Sequence, residues 1–367
     1  MVRCINCILP ENYPGVDFDE KGCCFYCRDH KTPEFIQGNN EDELMRVVDE
    51  YRGKGQKYDC IVAFSGGRDS SYTLWYTVKK LKLKVLACLM DNGMVPDHTL
   101  QNVKNAVKIL NADLHIKKYD YLVKNLRHII KSWMAKPTVG MISIICTGCA
   151  YGRRAGLPIV AKKFKVPMMV VGGGEPQLSF AERYLSLGKN PGRFSLIAGF
   201  ALEVFKNPRY IIKPSCLNVM SLEFAYRFLE RYIIRFKNNQ YPRIKVFPHK
   251  YIGWNEQEML NVITSQLDWQ KSEYSEGSWR SDCKLALFKN YLYDKTVGFN
   301  KHDDLFSGMI RNGLISREDA LLRLKKEKDV KEEFVVNLFD ELELDYNKLK
   351  TALKNFNSSA YASTSVH

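Results

Sequence analysis

The residues best suited to chemistry lie in one stretch, 58–71, which reads YDCIVAFSGGRDSS. Its first half, through Phe64, is an apolar run with β-branched and aromatic residues, long enough for a buried strand and too short for a helix. After Ser65, Gly66 and Gly67 the apolar residues recur at a helical spacing. A strand, a glycine turn and a helix N-terminus together form an anion site, because the glycines let the backbone approach a phosphate and the first N–H groups of the helix point at it.

The motif resembles the PP-loop, S-G-G-x-D-S-[ST], of the ATP pyrophosphatase superfamily. Six positions match, namely Ser65, Gly66, Gly67, Asp69, Ser70 and Ser71. The resemblance implies that ATP binds here with Mg²⁺, that the loop holds the β- and γ-phosphates, and that AMP is transferred while pyrophosphate leaves. We expect Ser70 and Ser71 to donate hydrogen bonds to phosphate, Asp69 to orient the loop or the metal, and Arg68 to act as a phosphate cation. A Walker loop is excluded, since no Lys follows the glycines.

Two C-x-x-C pairs near the N-terminus, Cys4/Cys7 and Cys24/Cys27, have the spacing of a structural zinc site. Each pair places two thiolates on one side of a tight turn, and four thiolates complete a tetrahedral shell with no open position. Zinc would supply the folding energy that so short a segment lacks. Cys23, next to Cys24, leaves the register of the second pair ambiguous, and an iron–sulfur cluster is the alternative.

A further C-x-x-C pair, Cys146 and Cys149, stands alone in the middle of the chain. With one remote cysteine, Cys283 or Cys216, it would make a three-cysteine site for a [4Fe–4S] cluster. Two other interpretations stay open: one of the thiols is catalytic, or the pair packs at a helix N-terminus.

Two acidic residues follow expected strands. Asp91 ends a strand over 84–90 and is predicted to contact the ribose or adenine of the nucleotide; Glu175 follows the glycines 172–174 at the end of a strand over 168–171. Glu175 would orient the acceptor, Mg²⁺ or an ammonia nucleophile. Ordinary turns are the alternative at both places.

Strands and helices alternate along the centre of the chain, with helices expected over 99–110 and 122–134 and a strand over 113–118. This alternation predicts an α/β fold with a doubly wound parallel sheet, which the resemblance makes adenine nucleotide alpha-hydrolase-like. The expected units are a zinc-ribbon-like module (1–40), the ATP-binding α/β domain (41–215), a mainly helical region (216–354) and a disordered tail (355–367).

The composition is that of a globular protein: 367 residues, 45% hydrophobic, 26% charged, with a net charge of +14. The positive charge suits a polyanionic partner such as ATP, a nucleotide sugar or tRNA. No apolar run is long enough to span a bilayer and the N-terminus has no signal-peptide core, so we expect no membrane insertion and a cytoplasmic location. Eleven cysteines then favour metal or catalytic thiols over disulfides.

A closer resemblance, over residues 1 to about 340, is to the N-acetyl sugar amidotransferase family of lipopolysaccharide and flagellin-glycan biosynthesis. It rests on the N-terminal cysteine pairs with Leu9-Pro10-Glu11 between them, the PP-loop, Cys146/Cys149 and the ISREDAL segment at 315–321. It implies an amidotransferase that adenylates a nucleotide-sugar acceptor, with ammonia from a separate glutaminase displacing AMP. The chain departs from the family around Trp279–Lys284.

Three functions are therefore expected, in this order. The first is the AMP-forming amidotransferase of surface-glycan biosynthesis. The second is an ATP-dependent sulfur transferase acting on tRNA or a small molecule, with a cluster on Cys146, Cys149 and a third cysteine. The third is a non-catalytic zinc protein that binds nucleic acid, suggested by the net charge and the N-terminal cysteines.

Overall fold

The computed structural model describes residues 1–31, 40–146, 156–173, 180–185, 193–216, 241–280 and 282–356. At its centre is a five-stranded sheet with the order β3-β2-β1-β4-β5, in which every neighbouring pair is parallel. The strands are β1 (Cys60–Ala63), β2 (Val85–Asp91), β3 (Asp113–Lys118), β4 (Met168–Val171) and β5 (Ile244–Val246). The predicted α/β class and parallel sheet are confirmed.

Helices cover the sheet and make up most of the described C-terminal half. They are α1 (Phe25–Arg28), α2 (Glu41–Asp49), α3 (Arg68–Lys79), α4 (Asp97–Leu110), α5 (Asp120–Ala135), α6 (156–163), α7 (Phe180–Leu185), α8 (Arg193–Lys206), α9 (Arg209–Ile212), α10 (His249–Ile252), α11 (Glu256–Leu267), α12 (Lys284–Val297), α13 (Lys301–Arg311), α14 (Arg317–Glu327), α15 (Glu332–Glu341) and α16 (Tyr346–Lys354). A 3₁₀ segment spans Gly140–Cys146.

Both faces of the central strand β1 are buried. On β1, Val62 packs in one cluster with Leu74 of α3, whereas its neighbour Ile61 packs in a second cluster with Val160 of α6. Successive side chains of a strand point to opposite faces, so β1 is covered on both sides, as a doubly wound sheet requires.

The order of the strands creates one switch point. From β1 the chain moves outward through β2 to β3, and β4 then returns to the other side of β1. In sheets of this class ligands bind beyond the carboxyl ends of the strands where the order reverses, here between β1 and β4.

The N-terminal module packs on the C-terminal helices. Its residues Leu9 and Tyr13 belong to the same buried cluster as Phe288 of α12 and Phe339 of α15. The hydroxyl of Tyr13 also donates to Asp304 Oδ1 of α13 at 2.7 Å. Residues 1–31 therefore complete their core with residues almost 300 positions away in sequence.

No helix within the described ranges has the length and apolar character that crossing a membrane requires. Residues 217–240 of the expected helical region and 357–367 of the expected tail lie outside the described residues. The last described helix, α16, ends at Lys354.

Candidate active site

The predicted phosphate loop lies at the switch point, between the end of β1 and the start of α3. Gly67, the residue before α3, provides no side-chain cap. The N–H groups of the first turn are therefore available to an anion. Gly66 has a φ of +81°, and a Cβ at this position would lie 2.7 Å from the carbonyl oxygen of Thr99. Both the conformation and the close approach require glycine at position 66.

The three serines of the loop make different contacts. The hydroxyls of Ser65 and Ser70 are 3.0 Å apart, and Ser70 Oγ also accepts from the N–H of Ser65 at 3.2 Å and donates to the carbonyl of Gly67 at 3.0 Å. These bonds fix the shape of the loop. Ser71 is fully buried, and its Oγ has no hydrogen-bond partner in the part of the chain that the structure describes. Because an unpaired buried hydroxyl costs about 1–3 kcal/mol, Ser71 is the loop side chain that most requires a partner from a ligand.

Arg68 is buried in a network of charges. Its Nη1 contacts Oε1 of Glu256, at the start of α11, and lies 2.9 Å from the hydroxyl of Ser278. Its Nε donates to Oδ1 of Asp69 at 2.9 Å, and Glu256 Oε2 accepts from Arg323 of α14 at 2.7 Å. These contacts join the first turn of α3 to the C-terminal helices, and the expected role of Arg68 as a phosphate cation stays a prediction.

The carboxyl ends of β2 and β4 flank the loop. Gly172, directly after β4, is so close to α3 that a Cβ there would lie 2.7 Å from Thr73 Oγ1 and 3.0 Å from the carbonyl oxygen of Asp69. Asp91 ends β2, and its Oδ1 accepts from the N–H of Gly93 at 2.8 Å. Asp91 thus lies at the expected edge of the sheet, one strand from the loop. Glu175 lies outside the described residues.

A C-terminal segment covers the loop, which the sequence did not predict. Trp269 Nε1 donates to the carbonyl of Gly66 at 3.0 Å. The carboxylate of Asp282 lies against the backbone of Gly67, where a Cβ would be 2.9 Å from its Oδ2. The only sequence signal was the unusual group of charges and a thiol at 279–284.

His249 is a second residue that the sequence reasoning missed. It begins α10, is buried, and its ring stacks on Tyr72 of α3 with 5.8 Å between ring centres. Nδ1 lies 3.0 Å from the carbonyl of Gly253 and must donate to it, which leaves Nε2 as an acceptor with no partner among the described residues. Burial lowers the pKa of His249 and so favours the neutral ring. No feature of the sequence distinguished it from an ordinary surface histidine.

Two cysteines predicted to act together, Cys146 and Cys283, pack against the same buried cluster. Burial raises the pKa of Cys283 to about 11, and the charge of Cys146 contributes to this shift. Burial would also raise the pKa of Cys146, but the charge and hydrogen bond of Lys289 and the charge of Lys301 bring it below its ordinary value. Asn92, directly after β2, donates to Cys283 Sγ at 3.8 Å. The pair therefore lies at the sheet edge that carries the loop.

Of the two remote cysteines considered, Cys283 is the one that interacts electrostatically with Cys146 among the described residues. Cys216 is buried elsewhere, with its thiol 3.8 Å from the carbonyl oxygen of Asn125 in α5. Cys149 lies outside the described residues.

The four N-terminal cysteines Cys4, Cys7, Cys24 and Cys27 converge, with all four sulfurs within 4.8 Å of one another. The Cys4–Cys27 and Cys7–Cys24 sulfur distances are 3.9 and 3.7 Å. Hydrogen bonds from Cys24 and Cys27 hold the pKa of Cys7 far below its ordinary value. A tetrahedral thiolate shell has edges of about 3.8 Å when each metal–sulfur bond is about 2.3 Å, so the arrangement could hold one metal ion.

The contacts of these cysteines show that Cys24, and not Cys23, belongs to the group of four. The backbone N–H of Leu9 points at Cys7 Sγ and that of Cys24 at Cys4 Sγ, at 3.5 and 3.2 Å. Cys23 is excluded from the group, since its sulfur contacts Asn6 and its own neighbour's carbonyl instead.

The known proteins that this chain resembles are only distantly similar to it. No family model matches it. A protein of Methanocaldococcus jannaschii described as uncharacterized protein MJ1599 is 32% identical over 108 residues, which are 29% of this chain and 38% of that protein. The match thus spans little more than a third of the relative's length.

Two solved structures are similar at low identity. One is the U34-tRNA thiolase NcsA from Methanococcus maripaludis with its [4Fe–4S] cluster, with a TM-score of 0.36 and 17% identity over 86% of this chain and 87% of that one. The other is the NMN synthetase from Francisella tularensis, with a TM-score of 0.28 and 13% identity over 59% of this chain and 100% of that one. Neither likeness is close enough to assign a substrate or a cofactor.

Proposed function

We propose that the protein is an ATP-dependent enzyme that transfers the AMP moiety of ATP to an acceptor oxygen and releases pyrophosphate. One observation carries the proposal: the S-G-G-x-D-S-S loop lies at the switch point of the sheet, with an uncapped helix N-terminus and the unpaired, buried hydroxyl of Ser71. A pyrophosphate leaving group suits this site, because backbone N–H groups and the helix dipole stabilise the negative charge that develops on it.

In the proposed reaction the acceptor oxygen attacks the α-phosphorus, and the bond from that phosphorus to the bridging oxygen breaks. The N–H groups at the start of α3 and the hydroxyl of Ser71 hold the β- and γ-phosphates, while Ser65 and Ser70 keep the loop in shape. Asp69 provides carboxylate oxygens at the loop, the donor type that Mg²⁺ prefers. Mg²⁺, when bound, would neutralise charge on the phosphates. Asp91, and Glu175 outside the described residues, remain candidates for contacts to the nucleoside and the acceptor.

A nucleophile must then displace AMP from the activated acceptor, and the geometry favours sulfur. Cys146 and Cys283 pack against the same buried cluster and interact electrostatically, and Asp282, next to Cys283, lies against the loop. With Cys149 they would form a three-cysteine site of the kind that holds a [4Fe–4S] cluster with one iron open for sulfur. The pairing of a cysteine site with the ATP loop supports a sulfur transferase, for which the net charge of +14 suits a tRNA acceptor.

Ammonia transfer is the second candidate. The motifs that resemble the N-acetyl sugar amidotransferases favour it, above all the paired N-terminal cysteines with Leu9-Pro10-Glu11 between them. In this case the acceptor is a nucleotide sugar and a separate glutaminase supplies ammonia. Asp282 and Cys283, in the segment where the chain departs from that family, then have no assigned part in the reaction.

We assign the site of Cys4, Cys7, Cys24 and Cys27 to structural zinc. Its sulfur spacing fits a single ion, whereas an iron–sulfur cluster, which places several atoms between its ligands, requires thiolates farther apart. Arg317 of α14 donates to the carbonyls of Cys7 and Cys4 at 3.0 and 3.2 Å, so the ion would also fix the surface on which the C-terminal helices pack.

The test uses protein purified without oxygen and ATP labelled on the α-phosphate, with Mg²⁺ and one of two mixtures: bulk tRNA with sulfide, or UDP-linked N-acetylated uronic acids with ammonium. Labelled AMP in either mixture supports the proposal, and the productive mixture identifies the nucleophile. Iron and sulfide in the protein support sulfur transfer; zinc alone supports ammonia transfer. ADP as the nucleotide product contradicts adenylation.

Ser71→Ala provides the matched test of the loop. It removes the unpaired hydroxyl, and we expect weaker ATP binding with little loss of stability. Ser132→Ala is the control, because Ser132 is also buried in a helix, far along the chain in α5, and its hydroxyl donates to the carbonyl of His128. Equal ATP affinity in the two variants would contradict the assigned role of Ser71.

A further inference from the structure

The carboxylate of Asp282 is in direct contact with the phosphate loop. Its Cγ and Oδ2 both lie 2.9 Å from the position that a Cβ on Gly67 would take. Gly67 is the residue immediately before α3, where the β- and γ-phosphates bind in the proposed function. A negatively charged side chain thus occupies the border of an anion site, although 282 and 67 are more than 200 residues apart in sequence.

The charge of Asp282 is not balanced by a neighbour in the described part of the chain. Within those residues no hydrogen-bond donor and no cation pairs with its carboxylate, and it does not cap α3. Asp69, the other carboxylate of the loop, differs in this respect because its Oδ1 accepts from Arg68 Nε. When a triphosphate binds, Asp282 would face a second set of negative charges, and this repulsion requires a cation between them.

We propose that Asp282 is the protein ligand of the divalent cation that accompanies ATP, an inference that rests on the proposed function. Mg²⁺ is typically bound through one or two carboxylates together with phosphate oxygens of the substrate, and it keeps several waters. A half-buried carboxylate at the edge of a phosphate loop matches this donor set. The buried Ser71 hydroxyl, which lacks a partner, is an independent sign that the same loop takes a ligand.

Cys283, the residue after Asp282, connects the phosphate loop with the cysteine site. The thiol of Cys283 accepts from Asn92, directly after β2, while Asp282 lies against Gly67. The carboxylate oxygen of Asp282, a hard ligand, would therefore bind the cation of the nucleotide, and the soft sulfur of Cys283 would belong to the cysteine site. The two residues link the nucleotide to the place where the second half of the reaction would occur.

The test measures Mn²⁺ as a substitute for Mg²⁺. Free Mn²⁺ is followed by electron paramagnetic resonance in titrations of the complex with α,β-methylene ATP, which resists cleavage between the α- and β-phosphates. Wild type is compared with Asp282→Asn and with the control Glu276→Gln, which removes an exposed carboxylate of the same segment that pairs only with Lys271. Asp282→Ser serves as a second variant, and circular dichroism verifies that each one folds.

We expect Asp282→Asn to weaken Mn²⁺ binding in the ternary complex by about tenfold or more, since even an outer-shell partner of a metal contributes this much. Glu276→Gln should bind Mn²⁺ like wild type, and nucleotide binding in EDTA should not weaken in Asp282→Asn. Unchanged Mn²⁺ affinity in Asp282→Asn and Asp282→Ser would overturn the role of Asp282 but leave the proposed function standing. Tighter nucleotide binding by Asp282→Asn in the presence of Mg²⁺ would also overturn it, because this result would mean that Asp282 only repels the phosphates and holds no cation. If wild type binds no nucleotide, the proposed function fails as well.

Discussion

The contact between Arg68 and Glu256 leads to a prediction that combines stability with function. Arg68 is only 3% exposed and Glu256 14%, and Glu256 also pairs with Arg323. Removing one partner of a buried ion pair typically costs about 3–5 kcal/mol. Arg68 keeps Asp69 and Arg323 keeps Glu327 when Glu256 is replaced by Gln. We therefore expect Glu256→Gln to lower the free energy of unfolding by about 3 kcal/mol, at the low end of that range.

Chemical denaturation at pH 7 measures this loss. The control is Glu258→Gln, on the same helix, whose exposed carboxylate bonds only to the hydroxyl of Tyr72 and whose replacement should cost about 0.5 kcal/mol or less. Because Arg68 positions the first turn of α3, Glu256→Gln should also weaken ATP binding, and Glu258→Gln should not. Equal effects of the two substitutions on stability and on ATP would refute the reasoning.

The ion pair of Arg68 and Glu256 also predicts how the stability of the protein depends on pH. Burial would raise the pKa of Glu256, but the hydrogen bond from Arg323 and the charges of Arg68 and Arg323 hold it below its ordinary value. The folded-state pKa is thus below the unfolded one, so the contribution of Glu256 is fully present above about pH 4.5 and disappears as the pH falls through the folded-state pKa. The stability difference between wild type and Glu256→Gln should shrink over that range, as denaturation at a series of acidic pH values would measure.

Three further substitutions test the sites. Gly66→Ala should destabilise the protein and abolish ATP binding, measured by denaturation and equilibrium dialysis, because the left-handed backbone and a carbonyl 2.7 Å away exclude a methyl group; a fully active variant would contradict the loop geometry. Cys24→Ser should lose bound zinc and lower the melting temperature, while metal analysis of Cys23→Ser should find wild-type zinc; loss of zinc in both would reject the assigned register. Cys283→Ser should lose iron and sulfide after anaerobic purification, and Cys216→Ser should keep them; the reverse pattern would place the third ligand at Cys216.

The phosphate loop could be predicted from the sequence because its signals are local. The apolar run before Ser65 and the helical spacing after Gly67 place the turn correctly, although β1 is only Cys60–Ala63 rather than the full run from Tyr58. Strand β3 has the predicted bounds, and β2 and α4 differ from theirs by one or two residues. The short strand β5 was missed, since three residues carry too little periodicity to be recognised.

The partners of the loop could not be predicted because they come from distant parts of the chain. Glu256, Trp269 and Asp282 follow the loop by almost 190 residues or more, and nothing in the sequence around them indicates that they meet the loop. The N-terminal cysteines differ, because the spacing of their two pairs predicted the group of four that converges in the structure. Only the structure could exclude Cys23 in favour of Cys24, because that choice depends on where each sulfur points.

The central claim is that the start of α3 holds the terminal phosphates of ATP, and a crystal structure with α,β-methylene ATP and Mg²⁺ tests it most directly. We predict β- and γ-phosphate oxygens within about 2.7–3.2 Å of the first N–H groups of α3 and of Ser71 Oγ, at the carboxyl end of β1. A nucleotide whose terminal phosphates lie elsewhere, with Ser71 still unpaired, would contradict the account.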